Sequence, residues 1–100
     1  MFGHWTFLSN HAHVLVCLAR NPDVLSKQVA DSVGITERQV FKIISDLEES
    51  GVVVRIREGR RNHYEFRLDA NLRHPLESNH TVRELMRTLL SEEECEALGI

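Results

Sequence analysis

Cysteine is scarce and poorly placed for chemistry. Cys17 and Cys95 are the only two, and nothing in their spacing suggests a metal or redox pair. Cys17 falls on an apolar helical face and reads as a small hydrophobe rather than a sensor. No apolar run is long enough to span a bilayer. The opening MFGHWTFLSNHAH has neither a basic stretch nor a small-residue cleavage site, so a cytoplasmic protein without membrane attachment is expected. Repeats and low-complexity segments are absent. So are a phosphate-cradling glycine loop, a Ser-His-Asp order and a paired-carboxylate pattern, and no enzyme is expected. Positive charge is also short. Twelve Lys and Arg against 15 Asp and Glu leave a net charge of −3, which weighs against a nucleic-acid ligand. With 42% hydrophobic and 27% charged residues, the 100-residue chain has the composition of one globular domain with a modest core.

Six histidines raise the question of a metal. His13 and Cys17 stand four apart on one helical face, with His11 and His4 nearby. A zinc site needs three or four convergent ligands, and side chains two apart, as at His11 and His13, diverge on a helix. No metal or other cofactor is expected.

The richest signal is SKQVADSVGITERQVFKIIS, residues 26 to 45. Val29 and Val33 recur four apart, as one face of a short helix does. Gly34 can close that helix in the left-handed conformation. Thr36 restarts the chain, with Gln39 three residues on as its capping-box partner. Val40, Ile43, Ile44 and Leu47 then form one apolar stripe. Ala30 is small where two helices must approach closely. The spacing predicts a helix-turn-helix with its second helix over about 36–50.

A hairpin follows. Gly51 stops the helix, Val52, Val53, Val54 and Ile56 make a β-branched run, and Tyr64, Phe66 and Leu68 alternate with His63, Glu65 and Arg67. Between them, Arg57-Glu58-Gly59-Arg60-Arg61-Asn62 reads as a loop of about five residues crowded with arginine. Alone, such a loop is as readily a solvated tip. Directly after a helix-turn-helix it reads as a wing, because guanidinium forks match phosphate oxygens and the electronegative minor groove.

A helix, a helix-turn-helix and a two-stranded wing together resemble the winged helix-turn-helix transcription regulators, in particular their MarR-type branch. The resemblance is carried by GITERQVFKIISDLEESGVVVRIREGRRNHYEF and HWTFLSNHAHVLVCLARNPD and extends from His4 to about Leu90. It implies an α+β, mainly α fold: a three-helix core, a two- or three-stranded wing hairpin and an extra C-terminal helix. It also implies sequence-specific binding of double-stranded DNA, with Thr36, Glu37, Arg38, Gln39 and Lys42 in the major groove. Arg57, Arg60, Arg61 and Asn62, on a wing over about 57–63, would lie on backbone or minor groove. In chemical terms, Thr36 and the first-turn amides suit a phosphate. Arg38 can fork to guanine, and Gln39 can pair with adenine if it leaves the capping box. Glu37 can accept from cytosine, though complementing the helix dipole is the favoured role for it. Lys42 suits a phosphate. Phe41 lies on the polar side of the stripe, where it either meets a thymine methyl or packs under the wing; packing is favoured.

The distribution of charge answers part of the objection from its sum. Residues 76–100 hold two arginines against six glutamates, whereas residues 55–67 hold five arginines against two glutamates. Exposed charges act strongly only within ~8–10 Å, so an acidic end turned away from a duplex does little harm.

The remaining elements frame this core. The first helix is expected over about Ser9–Arg20, with Ala12, Leu15, Leu18 and Ala19 as its packing face. The resemblance, not the sequence itself, implies that Val24 and Leu25 give a short extended segment against the hairpin. Asp69 to Pro75 reads as a linker. Thr81 begins another helix with Glu84 as its capping-box partner, and Ser91 to Glu94 caps a last short turn. The chain thus divides into a winged-helix unit over 1–75 and a helical segment over 76–100, a candidate dimerisation element. Leu85, Met86, Leu89 and Leu90, with Phe2, Trp5, Phe7 and Leu8, either complete the core or pack against a second subunit. A homodimer is favoured, since helix-turn-helix proteins usually read paired half-sites through a two-fold axis. With so little chain beyond the DNA-reading part, an effector pocket is expected only at a dimer interface. The rival reading is a winged-helix module that binds another protein through its acidic C-terminal segment.

Overall fold

The computed structural model describes residues 5–100; Phe2 and His4, named above, lie outside the described residues. Seven elements follow in order: α1 (Asn10–Arg20), α2 (Ser26–Val33), α3 (Glu37–Glu49), β1 (Val53–Glu58), β2 (Arg61–Phe66), α4 (Val82–Leu89) and α5 (Glu92–Leu98). No described helix is long and apolar enough to cross a membrane.

Local chemistry sets most boundaries. The Ser9 side chain caps α1 by accepting from the Ala12 amide. Thr36, Thr81 and Ser91 each head a capping box, with Gln39, Glu84 and Glu94 reaching back to the cap amide. The third of these nucleates a full helix, α5, where the sequence suggested only a short turn. Arg20, in the last turn of α1, also pairs with Glu94 at 3.1 Å and holds α5 against α1. At the end of α3 the Gly51 amide donates to Glu48 and the Val52 amide to Leu47, a Schellman closure that needs the positive φ of Gly51 (80°). Val52 is thereby turned inward to start the hairpin.

One core joins all the helical layers. Val14, Leu15, Leu18 and Ala19 of α1 are buried. The expected face is thus rotated towards Val14, leaving Ala12 half-buried, because α1 is packed by α2, α3, β2 and α5 rather than from one side. Val29, Ala30 and Val33 of α2 and the whole α3 stripe lie in the same cluster. Met86 is fully buried and Leu90 nearly so, with Val82 beside them. These residues therefore complete their own chain's core, and only Leu85 and Leu89 stay partly open.

The sheet has two strands, with Val53 opposite Phe66 and Glu58 opposite Arg61. The turn is therefore Gly59-Arg60 alone, shorter than the loop read from sequence. Gly59 has φ +62° and Arg60 does not share a positive φ, the pattern of a II′ hairpin turn. Beyond the sheet, the Tyr64 amide donates to the Pro22 carbonyl. The α1–α2 connection thus touches β2 at Pro22, just before the expected Val24 and Leu25. Residues 68–72 are not a slack linker either. Leu68 and Ala70 accept from Arg83 and Val82, and Leu72 donates to His80.

Candidate nucleic-acid interface

The outer surface of α3 follows from its stripe. With Val40, Ile43, Ile44 and Leu47 inward, Arg38, Phe41, Lys42, Ser45 and Glu49 are exposed. Phe41 is 55% exposed, so it does not pack under the wing as favoured from sequence; it presents an aromatic face to solvent beside Arg38 and Lys42. The first turn is already engaged within the protein. The Thr36 hydroxyl accepts from the Gln39 amide at 3.1 Å, and the Gln39 carboxamide oxygen accepts from the Thr36 amide at 2.9 Å. The Ser26 hydroxyl donates to Glu37 at 2.9 Å, tying the start of α2 to that of α3. Glu37 thus has a structural partner across the turn of the motif.

The helix carries two cations, Arg38 and Lys42, against four carboxylates. They are segregated: both cations lie in its N-terminal half, and three of the acids in its last turns. Asp46 is the critical one. It accepts from Lys42 Nζ at 2.8 Å and pairs with His11 of α1 at 2.8 Å. These hydrogen bonds, Lys42 first, hold the Asp46 carboxyl below its ordinary range, and the same bond raises the Lys42 ammonium above its own. Lys42 is 75% exposed yet committed to a neighbour. The i,i+4 part of this network is visible in sequence; the His11 part joins residues 35 apart and is not.

On the wing, alternation separates the arginines. Arg55 and Arg57 share a face with Tyr64, whereas Arg61 shares the opposite face with Glu58 and His63. Arg55 reaches Glu48 at 3.4 Å and braces the hairpin against α3. Arg57 donates from Nε to the Gly59 carbonyl at 2.9 Å, supporting the turn. Asn62 pairs opposite Arg57, and Arg60 occupies the turn itself. On α3, β1, β2 and the turn between the strands, the ion pairs leave Arg38, Arg57, Arg60 and Arg61 without a carboxylate partner; Lys27, Arg67, Arg73 and Arg87 elsewhere in the described residues also have none. These guanidinium groups can meet an anion without breaking a bridge.

A cavity of about 870 Å³ opens beside α1, between the C-terminal end of α3 and the segment leading to α4. Its walls include Phe7, His11, Asp46 and Arg73. Cys17 is half-buried against the core, and burial pushes its thiol up, away from reactivity.

This architecture is a winged helix-turn-helix, and its arrangement is MarR-like. Residues 10–54 match the family described as winged helix-turn-helix DNA-binding. No curated protein matches the chain. Among solved structures it is similar to MepR, a transcription regulator of the Staphylococcus aureus multidrug efflux pump MepA. That similarity has a TM-score of 0.53 and 17% identity, covering 91% of this chain and 71% of MepR. It is similar also to the PcaV transcriptional regulator from Streptomyces coelicolor, solved with its natural ligand (TM-score 0.54, 20% identity, 92% of this chain and 69% of PcaV). A third is the Mycobacterium tuberculosis MarR family protein Rv2887 in complex with salicylic acid (TM-score 0.54, 19% identity, 92% of this chain and 61% of Rv2887). The family match thus covers the helix-turn-helix and the start of the wing, and the likeness to these three structures, at 17–20% identity, is one of fold.

Proposed function

We propose that the chain is a sequence-specific transcription regulator of double-stranded DNA, acting as a homodimer in the cytoplasm. The observation that supports the reading is the set of guanidinium groups without an ion-pair partner on α3, which lies inside the winged helix-turn-helix match over residues 10–54, and on the wing that follows it. Arg38 reads base edges from α3. Thr36, Glu37, Gln39 and Lys42 fix the register of that helix. Arg57, Arg60, Arg61 and Asn62 hold backbone or minor groove from the wing. Few cations are available, so affinity for random DNA is modest and falls as salt is raised, by about 0.9 in log K per log[salt] for each phosphate neutralised. Duplex binding followed by fluorescence anisotropy from low to moderate salt tests this. Arg60→Ala with Arg61→Ala should flatten the plot of log K against log[salt] by about 0.9 for each phosphate that is no longer neutralised. An unchanged slope would remove the wing from the interface.

Lys42 supplies a second test. Asp46→Asn replaces the carboxylate that holds Lys42 by a neutral amide, which weakens that hold and removes a negative charge from the same helix. Duplex affinity at low salt should rise roughly two- to tenfold and the salt slope steepen by up to about 0.9. Equal or weaker binding would show that Lys42 does not reach DNA.

The dimer rests on apolar surface that the core leaves over. Trp5 and Phe7 stack edge to face with centroids 4.9 Å apart, yet are 69% and 92% exposed, and Leu76 is 87% exposed. Such a patch marks an interaction surface. It lies on the N-terminal segment and on the 76–100 segment, which here complements the 1–75 winged-helix unit. Sedimentation equilibrium should give twice the chain mass, and Trp5→Ala with Phe7→Ala should return it to one chain. A wild-type monomer at tens of micromolar would exclude the dimer.

A further inference from the structure

The face of the wing turned away from Tyr64 carries ionisable groups that the DNA reading does not use. Ile56 pairs opposite His63 and Glu58 opposite Arg61, so all four side chains share that face. The bond from the Tyr64 amide to Pro22 lays the α1–α2 connection along the free edge of β2. Asp23 therefore arrives beside His63. His63 Nδ1 is 2.9 Å from an Asp23 carboxylate oxygen and 4.0 Å from one of Glu58. One ligand atom from each of the three residues lies within 4.8 Å of the others, and no other group of three does so among the described residues.

We propose that Asp23, Glu58 and His63 bind a divalent first-row transition ion that fastens the wing to the connection between α1 and α2. The distances support it. With metal–ligand bonds of about 2.1 Å, adjacent ligand atoms sit roughly 3.0 Å apart in an octahedron and roughly 3.4 Å apart in a tetrahedron. Asp23 and His63 already stand at the octahedral separation. Glu58, whose oxygen stands 4.0 Å from His63 Nδ1, is 66% exposed, so its side chain has open space in which to turn towards an ion. The donors select the class: an imidazole with two carboxylates suits Mn²⁺, Fe²⁺ or Zn²⁺. Ca²⁺ and Mg²⁺ prefer oxygen ligands only, and Cu⁺ prefers sulfur.

The three ligands also come from separate parts of the chain. Asp23 belongs to the helical body, while Glu58 and His63 flank the turn of the wing on different strands. An ion here would join segments 40 residues apart that are now linked by one imidazole–carboxylate pair and by the backbone bond from Tyr64 to Pro22. The hydrogen bond that His63 Nδ1 donates to Asp23 keeps the imidazole charged to higher pH than usual. The metal needs it neutral, so ion and proton compete and binding strengthens as pH rises through that shifted value. The other charges near the site are Glu65, two residues along β2, which favours a cation, and Arg61, opposite Glu58, which opposes one.

The test uses the whole chain and chloride salts of the ions, without DNA, so its failure leaves the DNA-binding reading untouched. Calorimetric titration with Mn²⁺ and with Zn²⁺ at pH 7.5 to 8 is expected to show one site per chain, with Mn²⁺ broadening amide resonances around residues 23, 58 and 63. His63→Gln and Asp23→Asn should each weaken binding at least tenfold, and His80→Gln should not. Asp23 and Glu58 are exposed and His63 is only partly buried, outside the core, so the variants should retain the fold, which circular dichroism checks. Zn²⁺ should raise the melting temperature of wild type but not of His63→Gln. The proposal is overturned if His63→Gln titrates like wild type, if broadening centres on His11 or His80, or if no ion binds below millimolar concentration.

Discussion

Leu18→Ala is expected to lower the unfolding free energy by about 3 kcal/mol, within the usual span for a leucine truncated in a core. Leu18 is fully buried and is among the largest side chains with no exposure. It lies on α1, which α2, α3, β2 and α5 all pack against. The cavity left by truncation cannot be filled from one side without disturbing another, so little relaxation offsets the loss. For a domain of this size the melting temperature should fall by roughly 12–20 °C. Thermal unfolding by circular dichroism measures it. Leu25→Ala, at a 52% exposed position, should change stability by no more than about 0.5 kcal/mol. Similar losses at both positions would mean that α1 is not the centre of the core.

Arg38→Ala is the second large expectation. Arg38 sits at the middle of the exposed side of α3, in its N-terminal half and without an ion-pair partner. A bidentate arginine–guanine contact is worth about 1–3 kcal/mol of discrimination. The variant should therefore bind a preferred duplex, chosen from a random pool, about 5- to 150-fold more weakly. Its affinity for unrelated sequence should change only by the loss of one cation. Competition binding with selected and scrambled duplexes separates the two effects. An equal loss on both would make Arg38 a phosphate contact and move base reading elsewhere on the helix.

Features fixed within a few residues were legible in the sequence. Each capping box links residues three apart, and the glycine closures at Gly34 and Gly51 depend on backbone freedom that only the residue type supplies. The apolar stripes of α3 and α4 were legible for the same reason. Contacts between distant segments were not. Nothing near His11 announces Asp46, and nothing near Asp23 announces His63. The hairpin shows local preference overridden by pairing. Arginine, glutamate and asparagine are weak strand formers, so residues 57–62 read as loop. Cross-strand pairing of Arg57 with Asn62 and Glu58 with Arg61 extends the ladder to a two-residue turn. Apolar residues on α4 fitted either a core or a partner, and only the packing of Met86 and Leu90 assigns them inward.

The net charge of −3 is reconciled with DNA binding by where the acids sit. Asp46 and Glu48 are each paired to a base within the protein. Glu94 is drawn into the cap of α5, where the hydrogen bond from the Ser91 amide holds its carboxyl below the ordinary range. Glu92, Glu93 and Glu96 remain exposed on α5, and they are the groups a protein partner would seek in the rival reading.

Backbone amide shifts of the full chain titrated with a short duplex distinguish the two surfaces directly. Perturbations confined to residues 36–42 and 57–62, vanishing as salt is raised, are the expected result. Perturbations centred on residues 92–98, or none at a concentration where unrelated basic proteins bind, would contradict the assignment of the exposed side of α3 and the wing as the DNA-reading surface.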